Sequence, residues 1–126
     1  MAVKKKLCVM VVDDEDSVLN MLGEMVRHTG WDCLTAPTGE IALGLFGKHD
    51  VDIVVLDLNL PNMKGFDVLK NMKALKPKVP VVILTGLGYD KEQVDEALKL
   101  GASGYVGKAM PVEQTISAIK NVLAKK

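Results

Sequence analysis

The chain has 126 residues, 48 % of them hydrophobic and 25 % charged, which supports one buried core and excludes a disordered segment. Sixteen basic and sixteen acidic side chains cancel, so no overall field favours nucleic acid or an anionic membrane. No apolar run approaches the roughly 20 residues of a membrane span, and Leu7 to Val12 is too short for a secretory signal. A cytoplasmic domain is expected, one unit over 1–126, with no repeat, linker or room for a separate output module. Cys8 and Cys33 fall far apart in strand-like segments and are expected to be reduced core residues.

Apolar runs alternate with segments of helical period along the whole chain. The first run is Leu7–Val12, followed by a helix with Asp16 or Ser17 near its cap. That helix has an inward stripe of Val18, Leu22, Met25 and Val26, and Gly30 as its stop. Trp31–Thr35 is a weaker run, the mark of an edge strand, and Thr38 to Lys48 turns Ala42, Leu45 and Phe46 inward. Val51–Leu56 is β-branched and continuous, as a strand covered on both faces should be. A third helix carries Phe66, Leu69 and Met72 and ends before Pro77; Val79–Leu84 is the fourth strand. Asp90 and Gln93 are spaced as a capping box for a helix with only Val94, Ala97 and Leu98 as anchors. Ser103–Val106 is the fifth strand, and a last helix from Pro111 buries Val112, Ile116, Ile119 and Leu123. Five βα units in strict alternation predict an open, doubly wound parallel sheet between two helical layers, since a closed barrel normally needs eight.

In such a sheet the reactive crevice lies beyond the carboxyl ends of the strands. Asp13-Asp14-Glu15-Asp16 follow the first strand, Asp57-Leu58-Asn59 the third, Thr85-Gly86 the fourth and Gly107-Lys108 the fifth. With strands one and three adjacent, Asp13, Asp14 and Asp57 converge. Two like charges ~4 Å apart repel by about 4 kcal/mol at an effective dielectric near 20, so a proton or a cation must intervene. Oxygen ligands without His or Cys suit a hard ion such as Mg²⁺, which keeps an open side for phosphate. A carboxylate nucleophile, such an ion, Lys108 and the Thr85 hydroxyl together form a phosphoryl-accepting site.

The motifs Val11-Val-Asp-Asp-Glu15, Val54-Val-Leu-Asp-Leu-Asn-Leu-Pro61 with Gly65, Ile83-Leu-Thr-Gly86 and Gly101-Ala-Ser-Gly-Tyr-Val-Gly-Lys108 resemble the receiver domain of two-component response regulators. The resemblance runs from about Lys6 to the C-terminus. It implies a flavodoxin-like sheet in order 2-1-3-4-5 with five helices. It implies that Asp57 accepts a phosphoryl group from a sensor histidine kinase or phosphotransfer protein. Asp14, Asp57 and the Asn59 carbonyl would hold Mg²⁺, with Asp13 acting through water. Thr85 and Lys108 would hold the phosphoryl oxygens, and Tyr105 matches the family's switch aromatic. Pro61 and Gly65 would shape the loop beside Asp57. The fourth helix, fifth strand and fifth helix would form the face that meets a downstream protein, as a monomer or a phosphorylation-dependent homodimer. Such a domain is a signalling switch rather than an enzyme, limited to its own phosphorylation and slow dephosphorylation.

Alternative readings leave traces. A receiver module cut from a longer regulator would look the same, though Met1 and Ala124-Lys-Lys126 read as natural termini of a standalone regulator. An aspartyl phosphohydrolase would carry an acid two residues beyond its nucleophile, where Asn59 stands. Gly86-Leu-Gly88 lacks the third glycine of a dinucleotide fingerprint, Ala102–Ala109 departs from a P-loop at two positions, and the first acidic loop would repel a flavin phosphate. His28 and His49 lie at no strand's carboxyl end and are expected in solvent, and the methionines are expected to pack. Two departures from the family pattern remain. Ala109 replaces the usual Pro after Lys108, so a trans bond is expected there. Leu87, two beyond Thr85, is apolar where polar groups are frequent, and is expected to hinder the water that hydrolyses the acyl phosphate. The phosphate half-life of the parent is then expected to exceed that of Leu87→Glu, and an equal or shorter parental lifetime would refute the idea.

Overall fold

The computed structural model describes residues 6–60, 63–86 and 91–125; Pro61, Leu87 and the Asp90 half of the expected capping box lie outside them. The elements run β1 (Cys8–Val12), α1 (Asp16–His28), β2 (Asp32–Ala36), α2 (Gly39–Lys48), β3 (Ile53–Asp57), α3 (Gly65–Leu75), β4 (Val81–Thr85), α4 (Lys91–Lys99), β5 (Gly104–Gly107) and α5 (Val112–Ala124). All strand pairs are parallel, in the order β2-β1-β3-β4-β5. The expected architecture is met element for element.

Each strand's alternation divides the core between the two helical layers. Met10, Val12, Val54, Leu56, Val81 and Ile83 meet Ala42 and Phe46 of α2, Val68, Leu69 and Met72 of α3, and Ala97 of α4. Val9, Val11, Ile53, Val55, Val82 and Leu84 meet Leu19, Leu22 and Val26 of α1 and Ile116 and Ile119 of α5. Each such Val, Leu, Ile, Met or Phe side chain, fully buried, stabilises the fold by about 1.5–3 kcal/mol, so the central strands cannot slip register without loss of both layers. Cys8 packs towards the first layer and Cys33 towards the second, both only partly buried and neither in a disulfide. Burial pushes the Cys33 thiol up to about 11, with Cys8 adding to the push and Arg27 opposing it.

Helix ends follow local chemistry with small departures from expectation. Glu15, not Asp16 or Ser17, is the N-cap of α1, and Thr38 caps α2 by accepting the Ile41 N–H at 3.1 Å. Gly30 takes φ +100 just past α1, where its N–H donates to the Arg27 carbonyl at 2.9 Å and the Trp31 N–H to that of Val26 at 3.3 Å. Pro111 is the N-cap of α5 rather than its first helical residue. Leu98, expected as an anchor, is 40 % exposed, leaving Val94 and Ala97 as the buried side chains of α4. His28 and His49 are exposed, as expected.

Gly65 shows how tightly the fold closes below the sheet's carboxyl edge. A Cβ there would lie 2.3 Å from Leu58 Cα and 2.8 Å from the Asp57 carbonyl oxygen, while its N–H donates to Leu58 O at 3.0 Å. Gly65→Ala is expected to lower stability by about 1–3 kcal/mol through overpacking. Gly44→Ala, in α2 with open space around the new methyl, should raise it by about 0.5–1 kcal/mol. Urea unfolding midpoints of the two variants check both signs.

Candidate functional site

β1 and β3 are neighbours, with Val12 opposite Leu56, so the residues that end or follow them stand side by side. Asp57 closes β3 and Asp13 follows β1; both are buried, at 1 % and 0 % exposure. Each holds its local turn through one carboxylate oxygen. Asp13 Oδ1 accepts the Glu15 N–H at 2.9 Å, and Asp57 Oδ1 accepts the Asn59 N–H at 2.9 Å. The other oxygens face Lys108 from the end of β5, whose Nζ lies 2.8 Å from Asp13 Oδ2 and 2.9 Å from Asp57 Oδ2. A third carboxylate, Glu15 Oε1, lies 3.0 Å from the same ammonium.

Asp13 Oδ2 is buried and has no aligned hydrogen-bond donor; Lys108 gives it charge at close range without good direction. Burial pushes the Asp13 carboxyl above its ordinary value, the Lys108 ammonium and the Glu15 N–H pull it down, and the Asp57 charge adds to the upward push. For Lys108 burial favours the neutral amine, but the carboxylates of Asp13, Asp57 and Glu15 outweigh it and hold its pKa above that of an ordinary lysine. The ammonium therefore stays charged.

Carboxylate oxygens of Asp13, Asp14 and Asp57 all lie within 4.8 Å of one another. Opposite ligands of an octahedral Mg²⁺ stand about 4.2 Å apart, so this all-oxygen set fits a hard divalent ion after small adjustments. The unaligned Asp13 Oδ2 is an acceptor that such an ion would complete. An open cleft of about 590 Å³ gives access, lined by Asp14, Glu15, Val18, Asp57, Asn59, Gly86, Lys108 and Ala109. The Lys108–Ala109 bond is trans, no cis peptide occurring among the described residues.

Asp13, Asp14, Asp57 and Lys108 are thus brought together as expected, with Asn59 on the rim. Thr85 is placed differently from a ligand of the cleft. Its hydroxyl donates to the Val106 carbonyl at 3.3 Å, and its own carbonyl accepts the Lys108 N–H at 2.7 Å. Tyr105 is 46 % exposed on β5, opposite Ile83. Glu15 is the residue that sequence reasoning passed over. It stood inside the acidic run, where the only available signal was its charge.

A model of the response regulator receiver domain matches residues 9–120. The chain belongs to the response regulator receiver family. Over 117 residues it is 36 % identical to the sensory transduction protein RegX3 of Mycobacterium tuberculosis, covering 93 % of this chain and 51 % of RegX3. Over 116 residues it is 31 % identical to the response regulator SaeR of Staphylococcus aureus, covering 92 % of this chain and 50 % of SaeR. The receiver chain therefore spans about half the length of these relatives. Among solved structures it is similar to the chemotaxis protein CheY4 of Vibrio cholerae, with TM-score 0.88, 26 % identity, and coverage of 94 % and 99 % of the two chains. It is also similar to the BeF3-activated receiver domain of DrrB, with TM-score 0.86, 29 % identity, and coverage of 95 % and 99 %. Family membership makes this a domain of two-component phosphorelay signalling. Among the described residues no helix is long and apolar enough to cross a membrane.

The electrostatics give a stability test. Both shifted groups favour protons in the folded state. The contribution of Lys108 is fully present below the ordinary lysine value and is lost as pH climbs through its raised folded value. Asp13, raised as well, contributes most below the ordinary carboxyl value and progressively less as pH rises above it. Lys108→Met removes the main downward pull on Asp13. The variant is expected to lose about 1–3 kcal/mol at pH 8 and less at pH 5, where uptake of a proton by the raised Asp13 carboxyl relieves part of the loss. Urea midpoints at the two pH values check this; a loss that does not shrink in acid contradicts it.

Proposed function

We propose that this receiver domain accepts a phosphoryl group on Asp57 from the phosphohistidine of a sensor histidine kinase or phosphotransfer protein, residues 1–126 acting as one receiver unit. The observation that carries the reading is a carboxylate buried at the end of a central strand, with a permanently charged ammonium on one oxygen and an open cleft before it. A carboxylate oxygen keeps further lone pairs beside the Lys108 contact and can attack phosphorus. The new O–P bond replaces the N–P bond of the donor, and the imidazole leaves and takes up a proton. Lys108, already 2.9 Å from Asp57 Oδ2, balances the charge added to that carboxylate.

Asp14, Asp57 and the Asn59 carbonyl would hold Mg²⁺, with Asp13 acting through water; when bound, the ion supplies positive charge to the phosphoryl oxygens. Asn59 supplies no acid at the position where a phosphohydrolase needs one, which supports slow release rather than turnover. The reading is a switch, not a catalyst.

Phosphorylation adds nearly two negative charges and three strong acceptors at one place. The Thr85 hydroxyl, now on a 3.3 Å bond to a neutral carbonyl, gains a charged acceptor by turning towards Asp57. That exchange favours conformations in which Thr85 and Tyr105 move inward. α4 is tied down by Val94 and Ala97 alone among its buried side chains, so it shifts at small cost. Leu98 of α4 and Tyr105 of β5, both substantially exposed, give the α4-β5-α5 face apolar contacts for a downstream protein or a second copy.

Incubation with acetyl phosphate and Mg²⁺ is expected to add one phosphoryl mass, stable in acid and labile in base. The adduct should be absent in Asp57→Asn and abolished by a chelator. Modification that persists in Asp57→Asn would overturn the assignment.

A further inference from the structure

Lys108 is shared three ways, and its third partner differs in kind from the other two. The Glu15 side chain is 56 % exposed, against 0 % and 2 % for Asp13 and Asp57. Its backbone is fixed from both sides. The Glu15 N–H donates to Asp13 Oδ1 at 2.9 Å, and its carbonyl accepts the Val18 and Leu19 N–H groups at 3.1 Å each as the N-cap of α1. The side chain therefore starts from a set point on the cleft, and its Oε1 meets Lys108 Nζ at 3.0 Å.

Resting on the reading that Asp14 and Asp57 hold a divalent cation directly and Asp13 through a bound water, we infer that Glu15 is a positioning residue for Lys108. It retains the ammonium over the cleft when the ion and its water engage the carboxylates of Asp57 and Asp13. Those two are partners of Lys108 and, with Asp14, the group that fits a cation, so ion and ammonium compete for the same oxygens. With Asp13 Oδ1 already taken by the Glu15 N–H, Oδ2 is the oxygen for which an ion-bound water would compete with Lys108. A divalent charge repels the ammonium twice as strongly as a monovalent one and pushes it outward.

On its flexible four-carbon stem, Lys108 would then turn to water unless another acceptor held it. Glu15 lies outside the cation group, so its oxygen is not contested. Its exposure makes the pair weak, which matters little while the buried carboxylates hold Lys108 and decides its place once they are engaged. Lys108 thus stays beside Asp57, where a phosphoryl oxygen meets it.

The test reads where Lys108 is, not how fast the protein is phosphorylated. Parent and Glu15→Gln are acetylated with sulfo-N-hydroxysuccinimide acetate, with and without millimolar Mg²⁺. Lys108 modification is then followed by peptide mass spectrometry against exposed Lys120. Without the ion, Lys108 should react equally slowly in both proteins. With it, Glu15→Gln should react about threefold to fivefold faster than the parent, the range that losing an exposed ion pair supports. Equal rates in Mg²⁺ would overturn the inference, and so would the same acceleration without the ion, which would make Glu15 a static clamp. An unchanged Lys120 rate shows that the reagent acts equally on both proteins, and an unchanged urea midpoint shows that the fold is intact. Mg²⁺ binding is followed separately by isothermal titration calorimetry: no binding would sink the cation reading, whereas equal labelling rates at saturating Mg²⁺ overturn the role of Glu15 alone.

Discussion

A parallel sheet in the order β2-β1-β3-β4-β5 forces two acidic strand ends together, and the ammonium of Lys108 is what makes that tolerable. Asp13 and Asp57 are both withdrawn from water, where carboxylates almost never go unpaired. They could not be moved apart without breaking the β1–β3 ladder, whose strands supply most of the sheet side chains packed against each helical layer. β5 lies two strands from β3, so Lys108 must reach past β4 to arrive. Its backbone is guided there by the N–H bond to the Thr85 carbonyl. One side chain thereby ties β1, β3 and β5 at their carboxyl ends, and any change in charge at Asp57 is felt across the sheet.

This arrangement links the proposed chemistry to the proposed output. The Thr85 carbonyl holds the Lys108 N–H, and its hydroxyl leans on the Val106 carbonyl, next in chain to Tyr105. A phosphoryl group on Asp57 draws on Lys108 and Thr85 together. The cost of that exchange is small, because the hydroxyl leaves a long bond to a neutral acceptor. Buried β4 and lightly anchored α4 divide the labour. In the proposed switch the strand would transmit position and the helix would move.

The fold was legible because β-branched runs such as Ile53–Val55 have no stable alternative to a strand covered on both faces. β2, β3, β4 and β5 each extend one residue past the expected end, so Asp57 and Thr85 close their strands instead of following them. Backbone pairing explains this: Asp57 pairs with Leu84 and Thr85 with Gly107, and a ladder tolerates any side chain at the sheet's last rung. Leu98 misled because helical spacing cannot tell a narrow buried stripe from a wide one. The cysteines were expected in the core and are only partly buried, Cys33 on the edge strand β2 and Cys8 at the first residue of β1. Asp13, Asp14, Asp57 and Lys108 were legible jointly, as one chemistry split over three strand ends. Glu15 was not, because nothing in an acidic run marks which member reaches a lysine ninety-three positions away.

Zero net charge also conceals a local imbalance that orders the proposed events. Asp13, Asp14, Glu15 and Asp57 set four carboxylates around one ammonium, a cleft that repels an incoming phosphoryl group. Lys108 cannot remedy this alone, since it already spends its charge on three of the four. A divalent ion would leave a single negative charge uncompensated and would free part of the ammonium's field for the phosphoryl oxygens. The surplus of acid therefore serves as a requirement for the ion. In the proposed sequence phosphate would be admitted only after the cation had entered, with the ammonium still close by when it arrived.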